Sequence, residues 1–212
     1  MPEPSPPKPP SFASLVQQFF TQYLPTQRAV SPRTIASYRD AMLLFLAFVE
    51  QSIGKAPSAI RLADIGPDLI LAFLDHLEQQ RRNSVRSRNL RLTALRAFLK
   101  FAARRDVSSL HVIERALAVP MKRFERPMLG FLSREEMLAV LGEPGQSWTS
   151  RRDHLLLSVL YNTGARVSEV IDVRVADVVL DGVPCVHLRG KGRKQRPKCT
   201  MNLSASLPAL WH

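Results

Sequence analysis

Residues 84–105 read SVRSRNLRLTALRAFLKFAARR, and this stretch decides the fold of the N-terminal half of the chain. Its apolar residues recur every three to four positions, which predicts one amphipathic helix from Ser84 to about Arg105. A helix with such a face needs other helices to cover it, so the stretch predicts an all-helical domain. The predicted buried face consists of Leu92, Leu95, Phe98, Leu99 and Ala102.

Three further amphipathic segments precede this helix. Residues 11–24 form the first, which we expect to end at Pro25 because proline interrupts a helix. Ser31, which is followed by a proline, opens the second with a capping hydroxyl, and a third runs over about residues 67–80. We therefore predict an orthogonal or bundled four-helix domain over residues 11–106.

The remaining segments differ from this domain in composition. Residues 1–10 contain six of the 16 prolines and predict a disordered tail, whereas residues 107–130 show no clear period and predict a linker. Residues 131–197 combine short helices with hairpin signals, and residues 198–212 show neither pattern and predict an aberrant tail. The predicted fold class is therefore mainly α with a small antiparallel β-sheet.

The charge of the chain indicates its kind of partner. Among 212 residues, 30 Lys and Arg oppose 18 Asp and Glu, which gives a net charge of +12. Such an excess indicates a polyanion and favours double-stranded DNA over a membrane, because no stretch approaches the roughly 18 apolar residues of a membrane span. Two cysteines are too few for a disulfide scaffold, which predicts a reducing, cytoplasmic location associated with the bacterial nucleoid. The histidines and cysteines show no ligand spacing, so we expect neither a metal nor a small-molecule cofactor.

Positive charge concentrates on the helix at residues 84–105. No acidic residue lies between Glu78 and Asp106, while nine basic residues do. Such a face suits DNA phosphates and base edges, and the absence of balancing acids disfavours the alternative of a merely solvated face. The candidate DNA-binding residues of this helix are Arg86, Arg88, Asn89, Arg91, Thr93, Arg96, Lys100 and Arg104. Arg193 and Lys194 follow a Gly-Lys-Gly turn, which is either a phosphate contact or a flexible exposed turn.

Two later motifs carry a more specific signal. The stretch LYNTGARVSEV at residues 160–170 resembles the motif around the first catalytic arginine of the tyrosine recombinases, also called phage-type integrases, such as those of the Xer and integron types. The stretch GKGRKQR at residues 190–196 is similar to the hairpin turn that carries the catalytic lysine of this family. The opening at Ser31 resembles the family's core-binding domain, and FLSREE at residues 131–136 resembles the opening of its catalytic domain.

The resemblance implies a helical core-binding domain followed by a partial α/β catalytic domain. It implies DNA strand breakage and rejoining by a tyrosine hydroxyl without a metal. Arg166 would then stabilise the charge at the phosphate, since guanidinium is planar and always charged, and Lys191 would protonate the leaving 5′ oxygen. Without the resemblance, Arg166 is a helix-start arginine paired with Glu169.

The sequence also departs from the family pattern. The family requires a His-x-x-Arg pattern and a tyrosine nucleophile after the hairpin, whereas Tyr23, Tyr38 and Tyr161 all precede Arg166. We therefore expect a truncated or frame-shifted recombinase of a mobile element. It would serve DNA integration and recombination, with other recombinase protomers as candidate partners, and would not cleave DNA by itself. The alternatives are a DNA-binding module without chemistry and a helix-turn-helix regulator built from residues 11–106.

Overall fold

The computed structural model describes residues 10–125, 128, 130–142, 145–179, 181, 185–190 and 195–199. The chain divides into two compact units, Met1–Pro127 and Met128–His212, called unit 1 and unit 2 below. Apart from Pro10, Lys198 and Cys199, the two tails predicted at residues 1–10 and 198–212 lie outside the described residues.

Unit 1 is helical, and serine side chains begin three of its helices, among them the one at Ser31 that the sequence predicts. Ser11, Ser31 and Ser84 each accept a hydrogen bond from a backbone N–H three residues later, at 3.2, 3.3 and 3.3 Å. These bonds satisfy donors that have no partner within the helix. The helices are α1 (Phe12–Gln18), α2 (Pro32–Ile53), α3 (Pro67–Gln79), α4 (Val85–Ala103) and α5 (Leu110–Leu117), with short 3-10 turns at Pro57–Ala59, Leu62–Asp64 and Val107–Ser109.

The first helical segment continues through Pro25, which corrects the predicted end. After α1 the backbone widens into a π-type helix, Phe19–Gln27, in which the N–H of Arg28 donates to the carbonyl of Tyr23 at 2.9 Å. Proline disrupts an α-helix by removing an i→i−4 hydrogen bond and crowding the carbonyl four residues before it, whereas the wider π-type turn uses i→i−5 bonds. Phe19 and Leu24 are buried in the core, so tertiary packing holds this segment helical.

Aromatic side chains fill the core of unit 1. Phe19, Phe98 and Phe101 are almost fully buried, and the Phe19 ring lies 5.5 Å from that of Phe98 in an edge-to-face arrangement. Phe45 and Phe73 form a second edge-to-face pair, 5.2 Å apart, between α2 and α3. The predicted buried face of α4 is confirmed, because each of its five apolar residues is at most 2% exposed.

The predicted linker is shorter than residues 107–130. Its first part forms α5, whose Ile113 and Ala116 are fully buried in the core of unit 1. Asp106 begins this segment by accepting hydrogen bonds from Ser108 and Ser109. The sequence suggests a short helix over residues 112–117 within this linker, and α5 has only eight residues, so its helical character depends mainly on tertiary packing.

The described part of unit 2 combines three α-helices with a three-stranded antiparallel sheet in the order β1-β2-β3. A small core of Val159, Val186 and Leu188 lies between the helices and β2. This arrangement confirms a mainly α fold with a small antiparallel sheet. The elements are α6 (Arg134–Leu141), α7 (Trp148–Thr163), α8 (Val167–Ile171), β1 (Val178–Val179), β2 (Cys185–Arg189) and β3 (Gln195–Cys199). Across the described ranges of both units, no helix has the length and apolar character needed to cross a bilayer.

Candidate functional site

The polar face of α4 does not present all of its predicted DNA-binding residues to solvent. Arg88 and Asn89 are only 4% and 8% exposed, which corrects the expectation that they lie on an open surface. Nε of Arg88 lies 3.1 Å from the carboxylate of Glu78, and its Nη1 donates to Oδ1 of Asn89 at 3.1 Å. A buried guanidinium requires such a counter-charge, so Glu78 explains why this arginine turns inward.

Asn89 and Arg96, both predicted DNA contacts, are engaged in hydrogen bonds within unit 1. Nδ2 of Asn89 donates to the carbonyl of Lys122 at 2.8 Å. Nη2 of Arg96 donates to the carbonyl of Leu117 at 3.1 Å and to that of Val119. The middle of the polar face of α4 is therefore covered by the chain that follows α5.

Cations at the two ends of α4 remain accessible. Arg86, Lys100 and Arg104 are exposed, and within the described part of the chain none of them has a carboxylate partner. Arg91 is partly buried and donates to the carbonyl of Ser87 at 3.3 Å. Thr93 is also partly buried, and its hydroxyl donates to the carbonyl of Asn89 at 2.9 Å.

A groove of about 340 Å³ lies at the C-terminal end of α4. Arg28, Lys100 and Arg104 line it together with Tyr23 and Tyr38, and these residues are called the cationic groove below. Arg96 also borders the groove, with one guanidinium nitrogen bonded to the carbonyls at the end of α5. Of the described residues that line the groove, none is acidic.

The tyrosine hydroxyls of the groove and its three free cations have no polar partner among the described residues. The sequence pattern did not identify Arg28, Tyr23 and Tyr38 as parts of a site because all three lie far before α4 in the chain, the nearest by 47 residues. Arg28 ends the π-type helix, and the next residue, Ala29, has φ of 45°. Such a left-handed backbone is uncommon for alanine, and it makes the turn into α2 at this wall of the groove.

A second pocket, of about 210 Å³, lies in unit 2 around Arg166. Gly164 ends α7 with φ of 59°, and Arg166 is the N-cap of α8. The Nη1 of Arg166 donates to Oε1 of Glu169 at 2.7 Å, and its backbone N–H donates to Oε2 at 3.1 Å. This is the pairing expected of Arg166 as a helix-start arginine, apart from the family resemblance, and the Arg166 side chain is still 66% exposed.

The end of β2 forms the opposite wall of this pocket. Leu188 and Gly190 line it, and Arg189 between them donates to Asp177 at 2.8 Å. The backbone N–H of Arg174 and then the guanidinium of Arg189 lower the pKa of Asp177, so its carboxylate is charged and anchors the strand end. Lys191, Arg193 and Lys194 lie outside the described residues, but Lys191 directly follows Gly190 in sequence.

No metal site is evident in either pocket. Groups of three or more His, Cys, Asp or Glu side chains that could hold a metal ion do not occur among the residues that the structure describes. Between them, the side chains that line the two pockets include guanidinium, ammonium and hydroxyl donors, which are groups that bind phosphate oxygens.

Comparison with known proteins identifies relatives over most of the chain. The family described as "Phage integrase, N-terminal SAM-like domain" matches residues 16–106. The y4rC protein of Sinorhizobium fredii, whose name assigns it to the integrases and recombinases, is 44% identical over 191 residues, which are 90% of this chain and 57% of y4rC. Tyrosine recombinase XerC of Oceanobacillus iheyensis is 30% identical over 179 residues, covering 84% of this chain and 55% of XerC.

A solved structure shares the fold. The crystal structure of XerH site-specific recombinase bound to palindromic difH substrate, a post-cleavage complex, superposes with a TM-score of 0.62 at 18% identity, over 86% of this chain and 53% of XerH. The chain thus spans a little over half the length of these relatives. With 44% identity over nine-tenths of its length and a matching integrase domain, the chain belongs to the tyrosine recombinase family, the phage-type integrases.

Proposed function

We propose that this chain binds double-stranded DNA and serves site-specific recombination and DNA integration. The observation that carries the proposal is the cationic groove, where Arg28, Lys100 and Arg104 share one depression and have no carboxylate partner among the described residues. Like charges held together repel one another, and the phosphates of DNA relieve that repulsion. XerH, a protein of the same fold whose structure has been solved, was bound to its palindromic difH substrate.

The groove suits a backbone phosphate better than a base edge. Arg28 and Arg104 can each donate two parallel hydrogen bonds to phosphate oxygens, and Lys100 adds a compact charge. Tyr23 and Tyr38 contribute neutral hydroxyl donors, whose bonds add to affinity without requiring a particular sequence. Arg86 and Arg91, towards the other end of α4, would extend the contact along the duplex.

Unit 2 would supply a second phosphate contact, at Arg166. In the reaction of this family, a tyrosine hydroxyl attacks a DNA phosphate, a phosphotyrosyl bond forms and the 5′ oxygen leaves with a proton. We assign Arg166 to the charge on the phosphate, Glu169 to the orientation of that arginine, and Lys191 to the proton. Because none of the three tyrosines follows Arg166, we propose that these 212 residues bind DNA without forming the covalent bond.

Two measurements on the same DNA test the proposal. Fluorescence anisotropy of labelled duplex DNA should show binding. The logarithm of the association constant should fall linearly with the logarithm of the salt concentration. Incubation with a nicked suicide duplex should give no protein–DNA band that survives denaturation. Absence of salt-dependent binding would exclude the proposed function, whereas a covalent band would show that one of the three tyrosines reacts.

The same binding bears on location and partners. A bacterial protein that binds duplex DNA would be found on the nucleoid, in the cytoplasm. Other recombinase protomers are proposed as partners on DNA, because XerC and XerH are recombinases of this family. If Arg166→Ala has no effect on DNA binding and residues 130–197 are dispensable, the helix-turn-helix alternative is favoured instead.

A further inference from the structure

The side chain of Asn89 binds the backbone of a residue 33 positions later. Its Nδ2 donates to the carbonyl of Lys122 at 2.8 Å, and its Oδ1 accepts from the N–H of Lys122 at 3.1 Å. A side-chain amide that both donates to and accepts from one residue reproduces the pairing of two peptide groups in a β-ladder. Because Asn89 is 8% exposed, water competes poorly for these two bonds.

Charged groups hold this amide in one orientation. Oδ1 of Asn89 also accepts from Nη1 of Arg88 at 3.1 Å, and the carboxylate of Glu78 lies 3.1 Å from Nε of Arg88. The other oxygen of Glu78 accepts from Nζ of Lys122 at 2.5 Å. Glu78 therefore joins α3, α4 and the chain after α5 through one carboxylate.

Arg96 fastens the same segment two helical turns further along α4. Its Nη2 donates to the carbonyls of Leu117 and Val119, which lie at the C-terminal end of α5. These carbonyls have no partner within the helix, and a guanidinium there also opposes the negative end of the helix dipole. Asn89 and Arg96 are seven residues apart, so they share one face of α4, about 10 Å from each other.

We infer that Glu78, Arg88, Asn89 and Arg96 form a clamp that holds residues 117–122 against α4. The four residues, called the exit clamp, are positioning residues rather than DNA contacts. The last residue that they hold is Lys122, so the chain stays on α4 beyond the end of α5 and leaves it no earlier than Arg123. The functional role of the clamp rests on the proposed function, because α4 also carries the cations that are proposed to bind DNA. A shorter connection raises the effective concentration of unit 2 at DNA that α4 has bound.

Limited digestion of the full chain with trypsin tests the clamp without DNA. Trypsin cuts after Lys122 only when the backbone there leaves α4, so the cleavage rate follows the population of the opened segment. Asn89→Ala removes both backbone bonds and should raise this rate about tenfold. Glu78→Gln keeps the size of the side chain but leaves the buried guanidinium of Arg88 without its counter-charge, so it should raise the rate by at least the same factor.

A matched control separates local opening from general destabilisation. Ile70→Val removes one methylene group from the fully buried Ile70 of α3, away from the clamp, and should leave the cleavage after Lys122 unchanged. An unchanged rate in both Asn89→Ala and Glu78→Gln would overturn the clamp. Equal acceleration in the Ile70→Val chain would also overturn it, because cleavage would then report global unfolding.

The salt dependence of DNA binding distinguishes positioning from contact. Arg96→Gln and Lys100→Gln each remove one positive charge from α4. The slope of the logarithm of the association constant against the logarithm of salt concentration counts phosphate contacts. Lys100→Gln should therefore reduce the magnitude of this slope by about 0.9, and Arg96→Gln should leave it unchanged. An equal reduction by both would show that Arg96 contacts DNA and would overturn its role as a positioning residue. If the native chain binds no DNA, the proposed function fails, and the trypsin rates alone still decide the clamp.

Discussion

Glu169 holds Arg166 at both its backbone and its side chain. One carboxylate oxygen accepts from the backbone N–H of Arg166 at 3.1 Å, and the other accepts from the guanidinium at 2.7 Å. The first bond begins α8, as in other capping boxes, and the second fixes the direction of the guanidinium. Glu169 is mostly buried whereas Arg166 is mostly exposed, so the pair presents its positive member to the pocket.

Replacement of Glu169 should distinguish the contribution of the backbone hydrogen bond from that of the side-chain ion pair. In Glu169→Gln the amide oxygen can still accept from the backbone, but the ion pair is lost, so we expect stability to change by less than about 1 kcal/mol. The released guanidinium should bind DNA phosphate a few-fold more tightly, whereas Arg166→Gln should weaken binding. Anisotropy titrations measure both affinities, and Glu135→Gln on α6 is the control for loss of a negative charge. If Glu169→Gln weakens DNA binding as much as Arg166→Gln does, the orientation of the Arg166 guanidinium by Glu169 contributes more to affinity than release of its charge from the ion pair.

The cationic groove predicts a difference between two pairs of charge-removing variants. Arg28→Gln with Lys100→Gln removes two cations of the groove, and Arg39→Gln with Arg115→Gln removes two exposed cations elsewhere on unit 1. The first pair should lower the magnitude of the salt slope by about 1.8, at about 0.9 for each lost phosphate contact, and the second should leave the slope nearly unchanged. The measurement is DNA affinity between 50 and about 300 mM salt. Equal effects of both pairs would mean that net charge, and not the groove, determines binding.

Local pattern predicted the parts of this fold that local forces determine. The serine cap at Ser31, the start of α4 near Ser84 and the buried face of α4 depend on residues close in sequence, and all of them are confirmed. The pair of Arg166 and Glu169 was also open to prediction, because three residues on a helix start bring the two side chains together.

Contacts between distant segments determine what the pattern could not predict. A helical periodicity shows which side of α4 is polar but not what covers it, and Asn89 meets Lys122 only in the folded chain. The helix through Pro25 depends on burial of Phe19 against α4, which outweighs the local preference of proline. The cationic groove likewise combines Arg28 with Lys100, which no single stretch of sequence contains.

Phe19 should be among the residues on which the stability of unit 1 depends most. It is 0% exposed, and its ring contacts those of Phe98 and Phe101 with centroids 5.5 and 5.4 Å apart. Phe19→Ala should lower the free energy of unfolding by about 3–5 kcal/mol, because it removes buried area and leaves a cavity. Gln22→Ala, an exposed change on the same π-type helix, should alter it by less than about 0.5 kcal/mol. Urea denaturation measures both, and a loss below about 1 kcal/mol for Phe19→Ala would mean that the core closes around the gap.

Asp106 should make part of the stability of unit 1 depend on pH. The hydroxyl of Ser108, and then that of Ser109, donates to its carboxylate and lowers its pKa, although burial acts in the opposite direction. The native pKa therefore lies below the value of about 3.9 for an unfolded chain. The resulting stabilisation is complete above the unfolded pKa and is lost as pH falls through the native one.

Asp106→Asn tests this contribution directly. The amide oxygen can still accept one hydrogen bond but carries no charge, so the free energy of unfolding at pH 7 should fall by about 1–3 kcal/mol. The difference between the native chain and the variant should then shrink as the pH is lowered towards 3, since protonation removes the same charge from the native chain. Urea denaturation at several pH values measures this difference, with Asp75→Asn on the exposed side of α3 as the control. A difference that stays constant from pH 7 to 3 would show that Asp106 acts through shape and not through its charge.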